Sequence, residues 1–307
     1  MLLVVMIQSP LNYTGGKYKL LPQILPLFPQ NINTFVDLFC GGGDVGSNVH
    51  SNFVLFNDIN NSVIGILSAF WRLDKDVIFQ YIYDTINRFH LSLVSEYGYD
   101  YYHCSSSNGL GSYNKNPFKE LKEHFNQIQT RDYQYYILLY VLVVYSFNNQ
   151  IRFNNTGEFN LPVGKRDFNS KMQGKLVAFI DRLKEISCDF SSVDFREINI
   201  DALEENDFVY ADPPYLITCA TYNEQGGWND DLERALYNYL DTLHEHHIRF
   251  ALSNVLTSKG KTNMILQNWL AANPQYICNH LNYNYSNSNY QVKDRTSGSD
   301  EVLITNY

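Results

Sequence analysis

Thr34-Phe35-Val36-Asp37-Leu38-Phe39-Cys40-Gly41-Gly42-Gly43 is a β-branched and aromatic run that stops at three glycines. Side chains of this kind suit a pleated, covered surface, and a glycine cluster ends such a surface in a tight turn. The stretch therefore predicts a buried strand from Thr34 to Phe39, followed by a loop. The same grammar recurs along the chain. Asn52 to Asn57 is a second run, closed by Asp58, and Phe208 to Ala211 is a third, halted by Asp212-Pro213-Pro214. Arg249 to Leu252 and Val302 to Thr305 are a fourth and a fifth. Helical patterns over Asp230 to Glu245 and Lys261 to Ala272 lie between them. Strands alternating with helices predict an α/β fold with a mainly parallel sheet and helices on both faces.

Residues 75–189 break the alternation. A long helical region is followed by the Ser/Asn/Gly-rich patch Ser105 to Asn116, another helix, and the polar segment Ser146 to Phe168. Within it, Tyr135 to Tyr145 is strongly apolar, too short to span a bilayer, and predicts a buried helix. The expected organisation is a sheet-bearing domain from residues 1–74 and 190–307, interrupted by a largely helical insertion at 75–189.

With 45% hydrophobic and 18% charged residues, the 307-residue chain has the composition of a packed globule. Its net charge of −9 argues against indiscriminate nucleic-acid binding, which draws on Lys and Arg against phosphates. The distribution is uneven, however. Lys115 to Lys184 holds eleven basic and six acidic residues, a surplus of five inside an acidic chain. Such a segment suits either one positive face for DNA or a solvated helical surface. The five cysteines, Cys40, Cys104, Cys188, Cys219 and Cys278, are widely spaced, so neither a zinc site nor a disulfide framework is expected, which suits a reducing cytoplasm. The apolar start, Met1 to Ile7, has no basic flank and is too short to span, so no membrane attachment is expected.

Two constellations carry chemistry. In Asp37 to Gly43, glycines just past a strand allow either a plain tight turn or close approach of backbone to a ligand. About fifteen residues on, Asp58 closes the next strand, where a carboxylate can accept from both hydroxyls of a ribose. The spacing is neither G-x-G-x-x-G nor a phosphate loop ending in G-K-[ST]. The second constellation, Asp212-Pro213-Pro214-Tyr215, follows a strand directly. Two prolines cannot continue a central strand, so they force a rigid turn at its carboxyl end. The Asp212 carboxylate and the Pro213 carbonyl can then accept both hydrogens of an amino group whose lone pair is delocalised into a ring. The Tyr215 ring can stack on that ring. No metal is required.

These residues resemble the Dam-type DNA adenine methyltransferases of bacteria, phages and restriction–modification systems, over nearly the whole chain and in the family's motif order. The resemblance implies a Rossmann-like methyltransferase sheet, S-adenosylmethionine as cofactor, and methylation of N6 on an adenine flipped out of double-stranded DNA. Asn12-Tyr13-Thr14-Gly15-Gly16-Lys17 is similar to the amino-terminal motif, in which the aromatic and the lysine touch the cofactor. Asp37, Phe39, Gly41 and Gly43 fall in the main cofactor loop, Asp58 in the ribose-binding turn, and Phe195 where an aromatic meets the cofactor's adenine. Asp212, Pro213, Pro214 and Tyr215 match the catalytic motif, with Asp212 also near the cofactor. Leu252-Ser253-Asn254 and Ser297-Gly298-Ser299-Asp300-Glu301-Val302 resemble the late motifs.

The insertion resembles the family's target-recognition subdomain with its β-hairpin. Phe147 stands where an aromatic pushes between base pairs, beside Asn148. Arg152 stands where a bidentate arginine reads guanine, and Asn154 lies in the same hairpin. Lys165 and Arg166 stand where a basic pair holds phosphate. Members reading GATC commonly carry a lysine where this chain has Asn12, although phage members lack it. Asn favours adenine when bidentate. GATC or a related short sequence is the expected target. Cytosine amino methyltransferases more often carry Ser in place of Asp212, and glutamine-modifying enzymes usually carry Asn. A monomer or weak dimer in the cytoplasm, nucleoid-associated or phage-encoded, is the expected setting.

Overall fold

The computed structural model describes residues 6–13, 15–218, 227–282 and 298–307. In chain order the elements are α1 (Leu21–Ile24), β1 (Thr34–Asp37), β2 (Phe53–Asn57), α2 (Asn61–Arg72), α3 (Lys75–Arg88), α4 (Val94–Tyr101), α5 (Gly111–Asn126), α6 (Tyr133–Tyr145) and α7 (Ser170–Glu185). They continue with β3 (Cys188–Ser191), β4 (Phe208–Ala211), α8 (Asp230–Glu245), β5 (Arg249–Ser258), β6 (Lys261–Thr262), α9 (Met264–Ala272), β7 (Ile277–Leu281) and β8 (Asp300–Thr305).

Among the described residues these strands form one sheet in the order β3-β2-β1-β4-β5-β8-β7, with β6 paired to β5. β2, β1, β4 and β5 are parallel, and β8 runs antiparallel to both β5 and β7. This is the mainly parallel sheet that the alternation of strands and helices predicts, and the Rossmann-like sheet that the family resemblance implies. From β1 the chain moves to β2 on one side and later returns to β4 on the other. β1 and β4 thus flank a topological switch point, where open α/β sheets take their ligands beyond the carboxyl ends.

By packing, the chain divides into two compact units, a sheet unit of residues 19–40, 48–59 and 191–307 and a helical unit of residues 1–18, 41–47 and 60–190. In the sheet unit, Val36, Val209, Phe250, Leu252 and Ile304 from the strands bury against Leu236, Leu240 and Leu243 of α8. Each leucine so buried contributes roughly 1.5–3 kcal/mol. α8 starts where expected because the Asn229 side chain caps it, accepting from Leu232 N at 3.0 Å.

In the helical unit, α6 is buried on nearly every side, as an all-apolar helix must be. α2, α3 and α5 pack on it. Gly65 of α2 admits the Tyr136 ring so closely that a Cβ would lie 2.1 Å from Cε1. Asp132 caps α6 by accepting from Tyr135 N at 2.9 Å.

Three expectations are corrected. The helix expected from Lys261 starts at Met264, because Lys261–Thr262 turn back to pair with β5. The first strand stops at Asp37, short of Phe39, and the fourth runs on past Leu252 to Ser258. The edge strands β3 and β7 are additions, and neither has a clean alternation of buried and exposed positions.

Candidate functional site

In the sheet unit, β1 and β4 end side by side, with Asp37 in register with Tyr210. The ladder continues one step beyond the strand, where Leu38 N donates to Tyr210 O at 2.9 Å. Asp37 and Asp212 are thus brought to neighbouring strand ends. Asn57, buried at the end of β2, staples the turn. Its Nδ2 donates to Leu38 O and to Val193 O, both at 3.1 Å, and its Oδ1 accepts from Val193 N at 3.2 Å. Cys40 N donates to Asn57 O at 2.8 Å, so the backbone after β1 is fixed against β2. Next in sequence, Asp58 is buried, its main chain tied to Ser191 O and to the Ser192 hydroxyl. Burial, then the charges of Asp58 and Asp37, push the Cys40 thiol pKa well up, so this is an acidic, enclosed corner.

The staple on Val193 also sets the course of the chain to Phe195, whose ring centroid lies 5.5 Å from that of Phe39. Trp228 completes the group, edge-on to Phe39 at 5.5 Å and tilted to Phe195 at 6.0 Å. Phe195 is buried, whereas Phe39 and Trp228 are half-buried.

Asp212-Pro213-Pro214-Tyr215 leaves the fully buried strand β4. Behind it, the Tyr210 hydroxyl and Ser253 Oγ are 2.7 Å apart, linking β4 to the Leu252-Ser253-Asn254 segment of β5. Asp212 and Tyr215 are half-buried, Pro213 is buried and Pro214 is exposed. Burial, then the Asp212 and Glu301 carboxylates, hold the Tyr215 phenol far from ionisation. A neutral aromatic ring and a carboxylate therefore share one turn.

The helical unit holds the rest of the sequence-predicted residues. Gly41 and Gly43 adopt φ of +47° and +80°. Gly41 is obligatory for a further reason, since a Cβ there would stand 2.7 Å from Cδ1 of Tyr13. The glycine turn thus packs directly on the amino-terminal motif. Asp44 fastens the two, its Oδ1 accepting from Ser9 N at 2.9 Å. Burial raises the Asp44 pKa, and the bond from Ser9 N, then the nearby Lys175 and Lys17, only partly offset this. Lys17 is buried and donates to Gly15 O at 2.8 Å. Thr14 of this motif, Ser297 of the late motif, Met1 to Val5 of the apolar start, and Cys219 lie outside the described residues.

The expected hairpin is held by two isolated antiparallel bridges, Ser146↔Val163 and Phe153↔Phe159. At its base Phe147 is 49% exposed, a large apolar ring offered to solvent. Asn148 and Asn149 follow with φ of +58° and +52°, a conformation that Asn tolerates better than most residues. Asn149 Nδ2 donates to Val144 O at 2.7 Å and to Val143 O at 3.2 Å, adding to the Ser146 bonds that cap the last carbonyls of α6. Its Oδ1 accepts from Asn12 Nδ2 at 3.2 Å.

Arg152 Nε donates to Asn160 Oδ1 at 2.8 Å. Lys165 and Arg166 are exposed. Among the described residues none of these three cations has an ion-pair partner. The Asn154 side chain, by contrast, is spent on the turn, accepting from Thr156 N and Glu158 N and donating to Glu158 Oε2. Sequence reasoning passed over Asn149, Asp44 and Trp228. Two asparagines in a row after a helix are a local signal for the first of these.

Comparison with known proteins decides the family. The profile of the D12 class N6 adenine-specific DNA methyltransferases matches residues 13–291. The chain belongs to this family. It is 41% identical to Modification methylase StsI of Streptococcus sanguinis and 40% identical to Type II methyltransferase M.FokI of Planomicrobium okeanokoites, each over 98% of this chain and 43% of the relative. A DNA adenine methylase of Haemophilus influenzae is 25% identical over 67% of this chain and 63% of its own length. The chain therefore spans less than half the length of the first two relatives. Among the described residues no helix is long and apolar enough to cross a membrane, and no group of three or more His, Cys, Asp or Glu side chains is placed to hold a metal.

Proposed function

We propose that this D12-class chain methylates N6 of an adenine flipped out of double-stranded DNA, in GATC or a related short site, with S-adenosylmethionine as methyl donor. The observation that carries the reading is the junction of β1 and β4, where Leu38 N on Tyr210 O aligns the Asp37 turn with the Asp212-Pro213 turn. The donor set there suits the cofactor. Asp58 offers a carboxylate to ribose hydroxyls, and Phe39 and Phe195 offer ring surface to an adenine. Asp37, Phe39, Asp58, Phe195 and Asp212, together with Tyr13, Lys17, Gly41 and Gly43, are the residues assigned to hold it. Bound there, the cofactor supplies an electrophilic methyl group on a sulfonium.

The chain's own work is to make the adenine amino group attack. Asp212 and the Pro213 carbonyl accept its two hydrogens, favouring the tetrahedral nitrogen whose lone pair is free of the ring. Pro214 keeps that turn rigid, and the neutral Tyr215 ring stacks on the extruded base. Segments 1–74 and 190–307 carry this chemistry, and segment 75–189 reads the target. Within the latter, Phe147 and Asn148 enter the duplex at the vacated position and Arg152 reads a base edge. Lys165 and Arg166 hold phosphate. Asn154 and Asn12 line the same approach, one shaping the hairpin turn and the other tied to Asn149.

The test separates chemistry from binding. Asp212→Ala is expected to lower the single-turnover methylation rate by about a hundredfold or more, the scale of losing a transition-state acceptor. Its dissociation constant for S-adenosylmethionine should rise far less than the rate falls, because the other eight residues assigned to the cofactor remain. Normal transfer by Asp212→Ala would overturn the mechanism.

A further inference from the structure

Glu233 lies in the first turn of α8 and is fully buried. Its four hydrogen-bond donors are all neutral. Trp228 Nε1 donates to Oε2, and Tyr237 OH (2.5 Å), Asn263 Nδ2 (2.9 Å) and Asn254 Nδ2 (3.1 Å) donate to Oε1. Among the described residues no cation pairs with it; burying a carboxylate without one is costly, and an apolar side chain would fill the space at lower cost. What an apolar residue or a glutamine cannot do is accept from four donors at once. These donors come from α8, from the carboxyl half of β5 and from the N-cap of α9, so the carboxylate fixes three elements around the Trp228 indole.

The indole so fixed faces the two rings assigned to the cofactor's adenine. It meets Phe39 edge-on, at 84° and 5.5 Å, and Phe195 at 6.0 Å. Phe39 and Trp228 are both only half-buried, so each keeps some open surface. Asn254 belongs to the late motif whose role the catalytic reading leaves unassigned. Here it is one of the acceptor's ligands, also reaching the Tyr237 hydroxyl at 3.3 Å.

We infer that Trp228 is a third aromatic wall of the cofactor's adenine pocket and that Glu233, with Asn254, Asn263 and Tyr237, is the positioning network that orients it. The inference rests on the cofactor reading above and adds a binding residue and its support to that site.

Calorimetric titration of the chain with S-adenosylmethionine tests it. Trp228→Ala should weaken binding by about tenfold, the loss of one base–aromatic stack, and Trp228→Phe should restore most of it. Cofactor should quench the fluorescence of the wild-type chain, and Trp228→Phe should lose that quench. Glu233→Gln should weaken binding severalfold in the wild-type background. In the Trp228→Phe background it should add nothing, because the indole N–H through which it acts is gone. A merely structural role for Glu233 would give the same loss in both backgrounds and would overturn the positioning claim. Wild-type binding with Trp228→Ala unchanged, or a full quench in Trp228→Phe, would overturn the wall. No binding by the wild-type chain would instead overturn the cofactor reading, and this inference with it.

Discussion

The turn after β4 and the loop after α6 carry the two halves of the proposed function, and they are built in opposite ways. The first leaves a strand with every residue buried, is stiffened by two prolines, and is backed by the Tyr210–Ser253 contact. The second follows a buried helix but leaves the sheet grammar altogether. Two isolated bridges, two left-handed asparagines and a set of short-range side-chain hydrogen bonds define it. Transition-state stabilisation demands donors and acceptors that do not reorganise, which a strand end provides. Reading a duplex demands side chains that project, and Phe147, Lys165 and Arg166 do so.

That contrast can be broken at either end. After Asp212→Ala, the largest effect is expected from Tyr215→Ala, which should cut the transfer rate by about a hundredfold through loss of base stacking, while Tyr215→Phe keeps most of it. Equal losses for both variants would assign the role to the hydroxyl. Gly164→Ala should come next. A Cβ there would sit 2.4 Å from the Ser146 carbonyl oxygen, which is backbone and cannot swing aside. Denaturant unfolding should report a loss of about 1–3 kcal/mol, and DNA affinity should fall more than cofactor affinity. Arg152→Ala should cost about 1–3 kcal/mol of discrimination at one base pair without lowering transfer on the preferred site. An unchanged site preference would remove Arg152 from readout.

The smallest effect concerns Asp44 and depends on pH. Its folded pKa is raised by burial, so its ionised form is worse off folded than unfolded. Stability from this group is full below the unfolded carboxylate range and is lost as pH rises through the raised folded value. Asp44→Asn keeps an acceptor for Ser9 N without the charge. It should raise the melting temperature at neutral pH, and the gain should vanish in acid. A gain independent of pH would point to packing instead of the buried charge.

What was legible in the sequence follows the same division. β1 and β4 declare themselves through apolar runs and Pro-Pro punctuation, and α8 through its helical pattern, whereas the strand order that makes the switch point is visible only in the structure. β3 and β7 do not, because edge strands carry little alternation. Asp212 and Tyr215 are legible because proline fixes their surroundings locally. Glu233 is illegible because Asp230-Asp231-Leu232-Glu233 reads as an ordinary acidic first turn, and only the convergence of Trp228, Asn254 and Asn263 buries it. Likewise Asn149 reads as part of a polar hairpin, while its work on the last carbonyls of α6 depends on a left-handed backbone.

The most direct test of the proposed function is to incubate the chain with methyl-labelled S-adenosylmethionine and unmethylated duplex DNA, then to hydrolyse the DNA and identify the labelled nucleoside. Label in N6-methyladenine, at a single short recurring site, is the predicted result. Label in methylcytosine, or none on DNA from a chain that binds the cofactor, would contradict it.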